Sequence, residues 1–111
     1  MNFKSNCVYV YNQPVDMRKS YDGLYGLIRL LTDLLKGDIF LFLSKDRKRT
    51  KALFWDGTGI NIWMKRLERG RFANIFSRSE ISLSELKLFF EGSQKAVERL
   101  SPQDLSQSFS A

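Results

Sequence analysis

The stretch from Phe54 to Phe72, FWDGTGINIWMKRLERGRF, constrains the fold more than any other part of the chain. Two apolar runs flank Asp56-Gly57-Thr58-Gly59, whose glycines permit the positive φ angles that a tight hairpin turn demands. With Gly57 and Thr58 at the tip, Asp56 faces Gly59, Trp55 faces Ile60, Phe54 faces Asn61, Leu53 faces Ile62 and Ala52 faces Trp63. Side chains alternate across a strand, so Leu53, Trp55, Ile60, Ile62 and Met64 share one face. Phe54, Asn61, Trp63 and Lys65 share the other.

Upstream, Ile39 to Leu43 is an unbroken apolar run, IFLFL, which points to a strand covered on both faces. The basic turn KDRKR and the strand TKALFW follow it. A four-residue loop at Lys45 to Lys48 places Phe40 and Phe42 on the face of Leu53, whereas a five-residue loop reverses that parity. At the N-terminus, Cys7 to Tyr11 alternates like a short strand and ends at Asn12-Gln13-Pro14. Asp16 stands where an N-cap belongs, and Met17, Tyr21, Leu24, Tyr25, Ile28, Leu31 and Leu35 recur at helical spacing, predicting one helix to about Lys36 that stops at Gly37. Beyond Phe72 the sequence predicts a short extended return near Ile75 and Phe76. Ser82 to Glu85 then forms a capping box that starts a second helix ending near Gly92. The fold class is therefore α+β: a short N-terminal strand, a long helix, an antiparallel meander of three to four strands and a C-terminal helix in a single two-layer domain. That domain is expected over residues 1–92, with 93–111 a C-terminal extension, partly helical or disordered.

Three blocks carry a resemblance: DMRKSYDGL at Asp16 to Leu24, WDGTG at Trp55 to Gly59 and KRLERGRF at Lys65 to Phe72, with Glu91-Gly92 beyond them. In that order and spacing they resemble the TnpB accessory proteins, encoded by the second open reading frame of insertion-sequence-66 elements. The resemblance covers roughly the first four fifths of the chain. It implies a bacterial mobile-element protein that accompanies a separate transposase, and it implies no assigned chemistry. After Phe72 the likeness breaks. The family pattern has a tryptophan-proline pair soon after that phenylalanine, where this chain has Ala73-Asn74-Ile75-Phe76 and a longer tail.

Charge is concentrated. Between Lys45 and Arg71 stand nine basic and three acidic residues, a surplus of six that equals the net charge of the whole chain. Such asymmetry is the footprint expected of polyanion binding, with Arg47, Lys48, Arg49, Lys65, Arg66, Arg69 and Arg71 as the candidate phosphate contacts. The alternative is a solvated rim, since cations beside an edge strand also deter aggregation. Arg18, Lys19 and Asp22 invite two readings as well, an anion site at a helix start or ordinary surface ion pairs spaced by one helical turn. Phe54 and Trp63, beside Thr50 and Lys65, are candidates for a partner interface or core, ahead of a base-stacking platform. The partners expected are the element's transposase, DNA, and a second copy through a sheet face.

Chemistry is narrowly bounded. With no histidine and the single Cys7, neither a Cys/His zinc site nor a histidine-based triad can be assembled. Asp16, Asp22, Asp56, Glu68, Glu80, Glu85 and Glu91 are expected as caps, turn residues or ion-pair partners, and Asp56 in particular as a turn aspartate binding loop amides. No enzymatic activity, metal or cofactor is expected. No apolar run reaches the roughly 20 residues of a membrane span, and the first residues lack a signal-peptide layout, so a cytoplasmic location is expected.

Overall fold

The hairpin turn sets the register of its strands, and the computed structural model shows the pairing as read. Asp56 donates its backbone N–H to the Gly59 carbonyl at 3.1 Å, and Ala52 to Trp55 lie opposite Trp63 to Ile60 in register. The structure describes residues 7–31 and 37–101. Its elements are β1 (Val8–Val10), α1 (Tyr21–Ile28), β2 (Ile39–Leu43), β3 (Arg49–Trp55), β4 (Ile60–Arg66), β5 (Glu80–Ile81), α2 (Leu83–Glu91) and α3 (Gln94–Leu100). The five strands form one mixed sheet in the order β4-β3-β2-β1-β5. β1 runs parallel to β2 and antiparallel to β5, while β2, β3 and β4 form the antiparallel meander.

Parity across the β2–β3 turn follows the four-residue loop. Phe40 faces Leu53 and Phe42 faces Lys51, and these phenylalanines join Leu53, Leu24, Ile28 and Val15 in a core beneath α1. Ile39, Leu41, Leu43, Ala52 and Phe54 point the other way, into a second core with Phe72, Ile75, Leu86, Phe89 and Leu100. Helices thus cover both faces. The domain has three layers where two were expected, because every residue of the IFLFL strand is buried and both of its faces need a cover.

The first helix is shorter than its apolar periodicity. It starts at Tyr21 with Ser20 as N-cap, and residues 29–31 are turn. Asp16 is not its cap. That carboxylate binds the Arg18 backbone N–H at 2.9 Å and the Arg18 guanidinium at 2.8 Å, while Val15 donates its N–H to the Leu43 carbonyl at 3.0 Å. Local carboxylate bonds compete with helix, and here Asp16 opens a turn closed by the Lys19 N–H on the Asp16 carbonyl at 3.0 Å, while Val15 stays tied to β2. The expected continuation through Leu34, Leu35 and Lys36 falls outside the described residues. Leu24 and Ile28 are buried, whereas Tyr21, Tyr25, Leu30 and Leu31 are exposed.

The last strand also differs. It lies at Glu80 and Ile81, against β1 at the far edge of the sheet, and Ile75 instead fills the core as part of a loop. The Ser82–Glu85 capping box is formed with both of its bonds, at 2.9 and 3.1 Å. Gly92 ends α2 in the left-handed conformation, φ +64°. α3 follows from its own cap, Ser93, and buries Ala96 and Leu100.

Candidate nucleic-acid interface

The two basic segments of the sequence, Lys45 to Arg49 and Lys65 to Arg71, meet at one end of the sheet. The chain leaves β4 directly beside the β2–β3 turn. There Leu67 donates its N–H to the Lys48 carbonyl at 2.8 Å and Phe72 donates to the Arg47 carbonyl at 2.7 Å. Arg49 and Arg66 are opposite partners in the β3–β4 ladder. Fixing like charges this close is unfavourable without an anion, so the backbone bonds and the burial of Phe72 must hold the surface together.

The turn is built from side chains that consume its acid. The Asp46 carboxylate accepts from the Ser44 hydroxyl at 2.7 Å and from the Lys48 N–H at 3.0 Å, and these bonds, the hydroxyl first, pull its pKa down. Arg47 adopts φ +58°, a left-handed conformation that costs a residue with a Cβ roughly 1–2 kcal/mol. The segment carrying Asp16 and Arg18 arrives from the other side. Arg18, Lys45 and Arg49 line one open cleft of about 570 Å³ together with Asp16 and Asp46. Asp16 is held at a pKa of about 2, chiefly by the Arg18 side chain, and Arg18 pairs with Asp16 rather than with Asp22.

Not every candidate cation is equally placed. Lys65 turns its ammonium to the Phe90 carbonyl at 2.7 Å and the Glu91 carbonyl at 3.4 Å, where it meets the negative end of α2. Arg66 pairs with Glu68 at 3.0 Å in an exposed bridge, and Lys48, Arg49, Arg69 and Arg71 are exposed. Lys51, on β3, donates to the Lys19 carbonyl at 2.7 Å and anchors the loop before α1. Sequence spacing could not show the uses of Lys65 and Lys51, because each joins residues that are 25 or more positions apart.

The turn at Asp56, Gly57, Thr58 and Gly59 lies at the opposite end of the hairpin. Asp56 Oδ1 accepts from the N–H groups of Thr58 and Gly59, both at 3.0 Å, and from the Thr58 hydroxyl at 3.1 Å. Those bonds, the Thr58 amide first, lower its pKa to about 2. The arrangement closes a turn. Among the described residues no three His, Cys, Asp or Glu side chains gather to hold a metal.

A second surface lies on the α2 side of the sheet. Phe54 is buried, and its ring meets that of Trp63 edge-on with centroids 4.8 Å apart. Trp63 itself is 54% exposed, opposite the small Ala52 on β3. Trp63, Ile39, Leu83, Leu86 and Phe90 line an apolar cleft of about 440 Å³ with Lys87 at its side. Phe54 is not among the residues that line this cleft. Nothing local in the sequence showed that Leu83, Leu86 and Phe90 would border one cleft with Trp63.

A family model described as IS66 Orf2-like protein matches residues 6–99. An uncharacterized protein of Sinorhizobium fredii, y4jC, is 42% identical over 67 residues, which is 59% of this chain and 57% of that relative's length. The chain thus spans less than two thirds of this relative. No solved structure matches it. No helix among the described residues is long and apolar enough to cross a membrane.

Proposed function

This chain belongs to the IS66 Orf2-like family, and from that premise we propose that it is a non-catalytic accessory protein of transposition. It acts in the cytoplasm with a separate transposase, and its basic sheet end contacts DNA phosphates. The observation that supports DNA contact is the pair of backbone bonds joining Leu67 to Lys48 and Phe72 to Arg47. They turn two basic segments, separate in sequence, into one surface, which Arg18 extends. Loops at a strand end present cations without a helix to enter a groove, so the mode of contact is backbone neutralisation, with little direct reading of bases. The contacts proposed are Arg47, Lys48, Arg49, Arg66, Arg69 and Arg71, with Lys65 contributing through its placement of α2.

The test is binding of the purified protein to labelled element-end DNA, duplex and single-stranded, across about 50 to 300 mM salt. Steeply falling affinity, with a slope that Arg66/Arg69/Arg71→Ala flattens by about 0.9 per lost duplex contact, is the expected result. An unchanged slope in that variant, or no binding at the lowest salt, sinks the DNA reading.

The exposed Trp63 cleft favours a companion reading, in which the transposase docks there through an apolar segment. Trp63→Ala should abolish co-purification with the transposase while Arg69→Ala leaves it intact. The reverse pattern would assign the transposase contact to the basic end instead.

A further inference from the structure

The two edges of the sheet differ. β5 closes one edge with two residues, and β4 closes the other with seven. Two bonds fix which way the β4 backbone points: Asp56 N–H to the Gly59 carbonyl at the turn, and Leu67 N–H to the Lys48 carbonyl at the far end. Alternation between them turns the backbone groups of Asn61, Trp63 and Lys65 toward β3 and those of Ile60, Ile62, Met64 and Arg66 outward. No described strand takes up those outward groups. Ile60, Trp63 and Met64 are 37%, 54% and 63% exposed along the same edge, and a long apolar edge is a template for another strand.

We propose that a second copy of this chain pairs with it antiparallel along β4, about a two-fold axis at Trp63. Trp63 is the midpoint of Ile60–Arg66, so this register alone aligns all seven residues of both strands. Trp63 then faces the partner's Trp63, Ile62 faces the partner's Met64, Asn61 faces the partner's Lys65 and Ile60 faces the partner's Arg66. The hydrogen-bonding phase agrees. Ile62 and Met64 offer outward N–H and carbonyl groups and form bonded pairs, leaving the two tryptophans in the non-bonded position where cross-strand side chains approach most closely.

Charge selects the same arrangement. The hairpin is acidic at its turn, where Asp56 is held ionised by loop amides, and basic at its exit, where Arg66, Arg69 and Arg71 stand. Antiparallel pairing sets each acidic turn beside the other copy's basic exit, and no cation of β4 lies opposite another. A parallel pairing would set basic against basic. The product is one continuous ten-stranded sheet with a basic surface at each end, facing opposite ways and separated by roughly a strand length of 20 Å. The two Trp63 clefts join into one trough across the axis. This pairing stands apart from nucleic-acid binding and is tested without it.

The mass of the full chain by light scattering and sedimentation is expected at twice 13.0 kDa. Met64→Pro removes an N–H that β3 does not use, so it should halve that mass while the circular dichroism spectrum stays that of the parent. In a Cys7→Ser background, Trp63→Cys brings two Cα atoms to about 4.5 Å, within disulfide range, and mild oxidation should link it covalently. Ile60→Cys, about 20 Å from its mate, should not link. A monomer mass at all concentrations, a Met64→Pro protein that is folded and still dimeric, or linking at Ile60→Cys as fast as at Trp63→Cys would each overturn the proposal. Should Met64→Pro fail to fold, the cysteine pair decides.

Discussion

Arg47 occupies the left-handed region at φ +58°, where glycine is the favoured residue and an arginine costs about 1–2 kcal/mol. The turn holds it there: its N–H reaches the Ser44 carbonyl at 3.0 Å and its carbonyl receives the Phe72 N–H at 2.7 Å. A cation kept at a position that strains its backbone is explained if the charge is used. Arg47→Gly should accordingly raise stability by up to about 1 kcal/mol, read from the urea midpoint, and lower affinity for DNA. A variant that binds DNA as well as the parent would leave the strain without a function. Asp56 makes the complementary argument with an acid. Its pKa, like that of Asp16, falls from 3.8 to about 2, and Asp46 and Glu85 are also lowered, Glu85 first through the Ser82 amide. A depressed folded pKa gives stability that is fully present above the unfolded value and is lost as pH falls through the folded one. Stability should therefore stay level down to about pH 5 and drop between about pH 4 and 2. Asp56→Asn should lower the melting temperature at pH 7, by a margin that narrows as pH falls toward about 2, where the folded aspartate takes up its proton. A gap that stays constant between those pH values would mean that the carboxylate charge does not hold the turn.

At the scale of elements, the hairpin was legible because a two-residue tip fixes everything behind it, from Trp55 opposite Ile60 to Ala52 opposite Trp63. The capping box was legible for the same reason, as its bonds span three residues. What sequence could not show were choices made across the chain. The parallel pairing of β1 with β2 brings together segments about thirty residues apart, and the start of α1 is decided by Val15 bonding to Leu43 rather than by the apolar spacing that runs through Met17. The site followed the same division, since the basic segments could be read from composition while their convergence, and the diversion of Lys65 to α2, could not. Gly92 shows how such contacts join elements. It takes φ +64° at the end of α2, and a Cβ there would fall 2.5 Å from Cδ2 of Leu67 in the basic exit. Gly92→Ala should then cost about 1–2 kcal/mol, most of it from the backbone because the leucine can shift. Leu67→Ala in the same background should leave the backbone part of that loss in place. Full rescue by the leucine truncation would show that the clash, and not the φ angle, sets the cost.

Across the whole molecule, the basic end is a product of the fold, since Arg18, the Lys45–Arg49 turn and the Arg66–Arg71 exit are brought together by three separate connections to the sheet. Val15 bonds to Leu43, Leu67 to Lys48 and Phe72 to Arg47. If these cations act as one surface, their effects on DNA binding should be governed by position in space and should ignore distance along the chain. Arg18→Ala, remote in sequence from the nine basic residues of the central segment, should then reduce the salt slope by nearly as much as Arg49→Ala, which lines the same cleft. Each should remove about 0.9 from that slope for duplex DNA. Lys95→Ala, an equal loss of charge on the exposed side of α3, should leave the slope unchanged. Long-range attraction to a net charge of +6 would weaken all three variants alike, because a summed field depends on total charge, whereas counterion release counts the phosphates actually neutralised. Equal slopes for Arg18→Ala and Lys95→Ala would therefore remove the Asp16–Arg18 loop from the interface and confine it to the two basic segments of the hairpins.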